Sequence, residues 1–319
     1  MKKVLVMGGN QFLGKVVTEK LLELNYCVYV LNRGTRKNLL GANFLKCDRN
    51  NKIELEEITR EHYFDIVIDI SAYTLQDVKV FKEALKGRYT HYIFISSASI
   101  YKDVVSYPIK EESLVGANHI WGAYAENKYL AENYIKENAK KNSYKYTILR
   151  PFYIYGPENN LDRESYIFSR IKNDLPIFVP NLGSEIIQLG YIDDLVNAII
   201  YSFENKKFYN EVFNISGEES ITIKKYIEIC AETLSKEAKI YNVNLENEKL
   251  KARDWFPFRN VHLFGSIDKI KKTNFIIETD IKKGLNLTYN YLEKNKKIEA
   301  PLINDIEKRL QEKYLGEQI

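Results

Sequence analysis

Tyr124 and Lys128 stand four residues apart in Tyr124-Ala-Glu-Asn-Lys128. On a helix that spacing puts two side chains on one face, so a phenol and an ammonium can act together. The ammonium would lower the phenol's pKa, and the phenol could then take or give a proton near neutral pH. The same ammonium could hold a ribose hydroxyl. Spacing alone is weak evidence. Tyr29, Tyr124, Tyr146 and Tyr166 each precede a basic residue by four positions, about what chance gives among 24 tyrosines. Of these, Tyr124 leads to a lysine. Placement adds to the case. The run His91–Ile95 reads as a strand and exits into Ser96-Ser97-Ala98-Ser99, and Tyr124 opens the next helix. Ser97 then sits at the carboxyl edge of a sheet, where ligands of open α/β folds bind. A serine-rich strand exit beside a surface helix pair is the plain alternative.

A second set could hold a dinucleotide. Met7-Gly-Gly-Asn-Gln-Phe-Leu-Gly14 follows a short apolar strand and opens a helical stretch. Gly8, Gly9, Gln11, Phe12, Leu13 and Gly14 would present backbone N–H groups to a pyrophosphate at the helix start. Gly8 would make the turn and Gly14 would allow close helix–strand packing. Gln11 occupies the place of the usual middle glycine. Asn32-Arg33-Gly34 closes the second strand, where the adenosine ribose should lie. An acid there would mean NAD; Asn32 can only hydrogen-bond, and Arg33 could pair with a 2′-phosphate. NAD and NADP both stay open on these residues. Asp48, followed by Arg49, could accept a hydrogen bond from the adenine amino group or could simply be a turn residue.

The elements that must position these groups alternate in kind. Lys3–Met7, Tyr26–Leu31, Asp65–Ile70, His91–Ile95 and Tyr146–Leu149 read as strands. Phe12–Leu24, Val78–Leu85 and Ala123–Ala139 read as helices, and Leu195–Phe203 with Val212–Ile215 as one more helix–strand pair. Apolar strands between amphipathic helices predict an α/β fold with a doubly wound parallel sheet. The Rossmann-type part is expected at 1–160 with about 186–218. A smaller substrate lobe is expected from about 161–185 and 219–319, packed at the carboxyl ends of the strands, and 302–314 reads as a charged amphipathic helix.

The bulk numbers exclude some classes. With 47 basic and 43 acidic residues the net charge is +4, too balanced to demand a polyanion. No run of 18 apolar residues occurs, so no membrane span is expected. The start lacks a signal-peptide core, and three dispersed cysteines fit a reducing cytoplasm. Four scattered histidines and no ligand spacing give no metal site.

Several motifs together resemble a known family. The loop Gly8–Gly14, the set Ser97, Tyr124, Lys128, and Leu149-Arg-Pro-Phe-Tyr-Ile-Tyr-Gly-Pro157 look like the extended short-chain dehydrogenase/reductase superfamily, in its NAD-dependent epimerase/dehydratase branch. Tyr191-Ile-Asp-Asp-Leu195 and Ser266-Ile-Asp-Lys269 resemble further landmarks, in order along the chain. The resemblance implies a tightly held nicotinamide cofactor and a sugar or nucleotide-sugar substrate, with a homodimer expected. Tyr124 would remove a hydroxyl proton and Ser97 would steady the oxyanion. Pro151, Phe152 and Tyr153 would border the nicotinamide, and Ser71 and Ala72 would touch the cofactor. Three departures stand out. Tyr153 replaces a frequent substrate-contacting asparagine, Ile187 a frequent diphosphate-binding arginine, and Ala98-Ser99 the acid pair of 4,6-dehydratases. Arg253 and Arg259 could supply the phosphate contact instead, or lie on an exposed turn anchored by Trp255 and Phe258.

The glycine loop without its middle glycine, Asn32-Arg33-Gly34 and Phe256-Pro-Phe-Arg259 also resemble the chloroplast stem-loop-binding proteins, which are associated with RNA. Two functions therefore compete: a UDP-glucose 4-epimerase-like enzyme, and an RNA-binding protein on the same fold. A single-step NADP-linked reductase is a third. The Ser97, Tyr124, Lys128 set and the modest charge favour an enzyme.

Overall fold

The computed structural model describes residues 1–316. In chain order its strands are β1 (Lys3–Met7), β2 (Cys27–Asn32), β3 (Asn43–Lys46), β4 (Phe64–Asp69), β5 (Tyr89–Ile95), β6 (Lys145–Pro151), β7 (Tyr153–Tyr155), β8 (Ile177–Pro180), β9 (Ile186–Tyr191), β10 (Glu211–Ile215), β11 (Ser220–Thr222) and β12 (Ile240–Val243). The helices are α1 (Leu13–Glu23), α2 (Lys52–Thr59), α3 (Leu75–Leu85), α4 (Ala123–Asn142), α5 (Arg163–Lys172), α6 (Ile192–Tyr201), α7 (Ile223–Thr233), α8 (Leu245–Glu248), α9 (Asp268–Lys271), α10 (Ile281–Lys294) and α11 (Asp305–Leu315). They fall into two compact units. The larger holds Met1–Phe152, Ile192–Ser216 and Gly265–Ile277; the smaller holds Tyr153–Tyr191, Gly217–Phe264 and Glu278–Ile319.

The larger unit is built on a seven-stranded sheet in the order β10-β6-β5-β4-β1-β2-β3. Every pairing in it is parallel. Both faces of such a sheet are covered, which is why β1 reads as unbroken Val4-Leu5-Val6, all fully buried. Each buried side chain of this size contributes roughly 1.5–3 kcal/mol. One core cluster joins Leu5, Met7, Val67, Tyr92 and Phe94 of the strands to Val78, Phe81, Ala131 and Ile135 of α3 and α4. Val4 and Val6 point to the other face, and α1 and α6 pack against each other. The chain order reverses at β1, between β4 and β2, and the loops leaving these strands open a crevice at the carboxyl edge.

Two buried ties fix the helix that carries Tyr124 and Lys128. Glu132 on α4 receives two hydrogen bonds from Arg150 on β6, at 3.0 and 2.7 Å. Arg150 also donates to the Tyr101 hydroxyl at 3.0 Å and to the Glu111 carbonyl at 2.9 Å. The Tyr101 hydroxyl in turn donates to Asn214 of β10. A buried pair of this kind is costly to break on one side, because the remaining charge is stranded.

The smaller unit is more regular than its sequence suggests. It holds a three-stranded sheet, β11-β9-β7, a parallel pair of β8 and β12, and the packed helices α5, α7 and α10. Its strands are three to six residues long, too short for a period of two to stand out. The tail helix α11 begins at Asp305, three residues after the expected start, where Asn304 and Glu307 form a capping box. Glu307 is buried and paired with Arg170 of α5 at 2.5 Å. Among the described residues no helix is long and apolar enough to cross a membrane.

Candidate active site

The glycine loop runs from the end of β1 into α1. Gly8 has φ +93°, and a Cβ there would sit 2.8 Å from Cβ of Ser71. A Cβ on Gly14 would lie 2.0 Å from the Gly8 carbonyl oxygen. Both positions therefore demand glycine, one for backbone angle and contact, the other for contact alone. Phe12, at φ 42° and ψ −120°, is the residue just before α1. A strained non-glycine residue at a helix start is the kind of outlier that marks a functional turn. Gln11 does not interrupt the loop: its carbonyl accepts from the Gly14 and Lys15 N–H groups.

A cavity of about 520 Å³ opens beside this loop. Gly8, Gln11, Asn32, Arg33, Asp48, Arg49 and Ser71 line it, as expected for a cofactor cradle. Gly9, Phe12, Leu13, Gly14 and Ala72 are not among the lining residues. Asn10, Thr35, Arg36, Tyr73 and Asp77 line it as well, without having been singled out in the sequence. Arg36 lies two residues beyond Gly34, so a longer reading of the loop after β2 would have included it. Tyr73 and Asp77 gave no local signal.

Several of these residues already have partners. The Asn32 side-chain oxygen accepts from Gly34 N at 2.8 Å, which fixes the loop, while its amide nitrogen is buried without a partner. Asp48 caps its own turn by accepting from Asn50 N at 2.9 Å. Arg49 is the most committed. It grips Asp69 at the end of β4 with two 3.0 Å hydrogen bonds and donates to Ser71 Oγ at 2.9 Å. Its Nε is buried and unpaired. Asp69 also accepts from the Tyr92 hydroxyl at 2.7 Å and from Ala72 N at 3.1 Å. Burial would raise this carboxyl, but Arg49 and Tyr92 hold it below its usual range. Arg49 and Asp69 thus lock the β4 exit, including Ser71 and Ala72, against the cavity floor.

The structure brings Ser97, Tyr124 and Lys128 together at the exit of β5. Ser97 begins a short 3-10 turn, Ala98–Ile100, and its hydroxyl accepts from Ser99 N at 3.1 Å. Tyr124 lies in the first turn of α4, its ring 6.2 Å from that of Tyr73. Lys128, 3% exposed, donates to the Ile95 carbonyl at 2.7 Å. Its ammonium is 6.0 Å from the Tyr124 ring centroid and 4.8 Å from that of Phe94. Burial brings its pKa down to about 8, against a partial restoring effect of Asp69. Here the sequence expectation needs correction. The Tyr124 phenol is raised, because burial outweighs the Ser97 hydrogen bond, and Lys128 does not bring it down. With a pKa of about 8, Lys128 has lost its charge before a raised phenol titrates, and its ammonium is turned to a backbone carbonyl.

Pro151 ends β6, and Phe152 N donates to the Ile215 carbonyl at 3.3 Å. Gly265 leaves room for the Phe152 ring, which a Cβ would meet at 2.4 Å. These two belong to the larger unit, whereas Tyr153, Arg253 and Arg259 belong to the smaller one and gather there. Trp255, Phe256 and Phe258 are buried, and Trp255 Nε1 donates to the Phe178 carbonyl at 2.7 Å. The turn is anchored as its sequence suggests, with an arginine on either side of the aromatic run. Among the described residues no group of His, Cys, Asp and Glu side chains has the makings of a metal site.

Residues 4–216 match the model of the NAD dependent epimerase/dehydratase family. The chain is 32% identical over 306 residues to the chloroplast stem-loop binding protein of 41 kDa b from Arabidopsis thaliana, covering 91% of this chain and 79% of that one. It is 22% identical to a putative UDP-glucose 4-epimerase from Methanocaldococcus jannaschii, covering 92% and 99%. The fold is similar to that of UDP-glucuronic acid 4-epimerase from Bacillus cereus, solved with UDP-glucuronic acid and NAD. There the TM-score is 0.77 at 20% identity, covering 92% of this chain and 99% of that one. The glycine cradle, the parallel sheet and the family match over two-thirds of its length agree: the chain belongs to the NAD-dependent epimerase/dehydratase family.

Proposed function

We propose that this protein is an NAD-dependent enzyme that epimerises a nucleotide sugar, with Ser97, Tyr124 and Lys128 as its proton-handling set. The observation that carries the proposal is the convergence of these three side chains at the β5 exit of a sheet whose β1–α1 turn is a glycine cradle. The cradle fits the cofactor. A Cβ at Gly8 would crowd Ser71 on its wall, and buried donors on Asn32 and Arg49 wait unpaired in residues that line the cavity. When bound, NAD supplies the site that takes and returns a hydride.

The chain's own residues handle the proton. Tyr124 Oη takes the proton of the sugar hydroxyl whose carbon is oxidised, and returns it on reduction. Ser97 Oγ donates to that oxygen as charge develops. Lys128, charged below about pH 8, favours the phenolate once its ammonium turns from the Ile95 carbonyl towards the ribose and phenol. Gly8–Gly14 N–H groups, Asn32 and Arg33 would hold the dinucleotide; Pro151 and Phe152 would border its nicotinamide. Arg33 and Arg36 beside Asn32 leave room for NADP at the same place, and with it a single-step reductase.

The test is hydride exchange with UDP-, GDP- and dTDP-sugars, following isotope at the sugar carbon. Tyr124→Phe keeps the ring and loses the proton carrier, so exchange should fall by roughly 10²–10⁴-fold while NADH still binds. Undiminished exchange in that variant would sink the mechanism. One observation favours a second reading, the 32% identity to a relative named for stem-loop binding. No exchange with any sugar, together with salt-sensitive RNA binding that Tyr124→Phe leaves intact, would decide for it.

A further inference from the structure

Tyr73 lines the cofactor cavity from the turn just before α3, and its side chain is 61% exposed. A single exposed tyrosine is ordinary, but this one stands on a pinned backbone. The Tyr73 and Thr74 N–H groups both donate to Asp77 Oδ2, at 2.9 and 2.8 Å, and Asp77 N–H donates to Thr74 Oγ1 at 3.1 Å. This capping box fixes the start of α3. Arg49 reinforces it by donating to the Asp77 carbonyl at 3.1 Å. Leu75 N–H donates to Asn127 Oδ1 at 3.4 Å, which ties the same turn to α4 at the residue before Lys128.

The ring held in this way stands beside the Lys128 ammonium, 5.7 Å from the ring centroid. The Phe94 ring is 4.8 Å from the ammonium and the Tyr124 ring 6.0 Å. The Tyr73 and Tyr124 rings are 6.2 Å apart and tilted by 48°. Three rings, from β5, α4 and the turn before α3, are thus within cation–π range of one ammonium. Phe94 is fully buried and Tyr124 half-buried, so Tyr73 is the most open of the three. The hydrogen bond of Lys128 goes to the neutral Ile95 carbonyl. Burial is the largest influence on its charge, and brings its pKa down to about 8. Asp69 of β4, Glu132 of α4 and Asp77 of α3 favour the ammonium, and Arg49 opposes it. A ring quadrupole attracts the ammonium and offers the neutral amine almost nothing, so each ring moves the balance towards the charged form.

We propose that Tyr73 is a positioning residue for Lys128: its ring completes an aromatic box that holds the ammonium charged beside Tyr124. The proposal rests on the reading of Lys128 as the electrostatic partner of Tyr124 and names what keeps it charged. Tyr73 acts through Lys128 and carries no proton itself. The tie between Leu75 and Asn127 sets the distance from the ring to the next residue on α4, which is Lys128.

The experiment follows the Lys128 titration by NMR in the full chain labelled with carbon-13 at lysine Cε. The Lys128 signal is identified by its absence from Lys128→Met. Tyr73→Leu removes the ring at a position open to water, so the fold should survive. The Lys128 midpoint should fall by about half to one pH unit in Tyr73→Leu, the size of one partly exposed cation–π contact. In Tyr73→Phe, which keeps the ring, it should stay at the wild-type value. In hydride exchange with nucleotide sugars, the pH above which the rate declines should move down by the same amount in Tyr73→Leu and stay in place in Tyr73→Phe. An unchanged Lys128 midpoint in Tyr73→Leu would overturn the proposal. Equal shifts in both variants would overturn it too, because they would give the effect to the hydroxyl. If wild-type protein exchanges hydride and the midpoint does not move, the box falls and the enzyme reading stands. If the midpoint moves as stated and no sugar is exchanged, the box stands and the enzyme reading falls.

Discussion

Lys128→Met should make the protein more stable and less active at once. The ammonium is buried, and its pKa of about 8 lies well below the usual 10.5 for lysine. At 1.36 kcal/mol per pH unit, keeping it charged in the fold costs about 3 kcal/mol at pH 7. Methionine fills a similar volume without the charge. It also loses the hydrogen bond to the Ile95 carbonyl, worth about 1–2 kcal/mol. The net expectation is a gain of about 1–2 kcal/mol at pH 7, read from urea unfolding of the cofactor-free protein. The pH dependence gives the sharper test. Below about pH 8 the lysine is charged in both folded and unfolded chains, and the whole cost is present. Between about 8 and 10.5 the folded protein sheds a proton that the unfolded chain keeps, so wild-type stability climbs with pH relative to the variant. Above that window the cost is gone, and the variant should be the less stable of the two. NADH affinity and turnover should both fall in Lys128→Met. A variant no more stable than wild type at pH 7, with a difference that does not change up to pH 10.5, would refute the reasoning. It would mean that Asp69 and the Ile95 carbonyl compensate the ammonium fully.

Three further outcomes are expected. Gly14→Ala places a Cβ 2.0 Å from the Gly8 carbonyl oxygen, so NADH binding measured by fluorescence should be lost; unchanged affinity would remove the loop from the cofactor site. Arg33→Ala should weaken NADP more than NAD in parallel titrations, because only NADP carries the 2′-phosphate; equal losses would exclude Arg33 from discrimination. Glu307→Ala strands the buried Arg170 guanidinium and should destabilise the chain by about 3–5 kcal/mol in urea. A loss below 1 kcal/mol would show that water reaches Arg170 when α11 loosens.

The sequence by itself determined the parts of this protein that depend on local order. Gly8 and Gly14 announce a tight turn because only glycine meets those contacts. The continuous apolar strands announce a sheet covered on both faces, and six of its seven parallel strands follow from that pattern; the edge strand β3, half-exposed along its length, does not. Tyr124 and Lys128 share a face because helical geometry puts them there, and Ser97 follows from the end of an apolar run. Tertiary structure decided everything that depends on groups far apart in the chain. Arg49 meets Asp69 twenty residues on, and that encounter makes it a clamp on the cavity floor. Tyr73 enters the site from the loop before α3, with no local mark to identify it. The acidity of Tyr124 followed burial rather than the spacing to Lys128, because desolvation is a property of the packed surroundings. Strands of three to six residues in the smaller unit pair across long separations, so their sequences carry too few periods to reveal them.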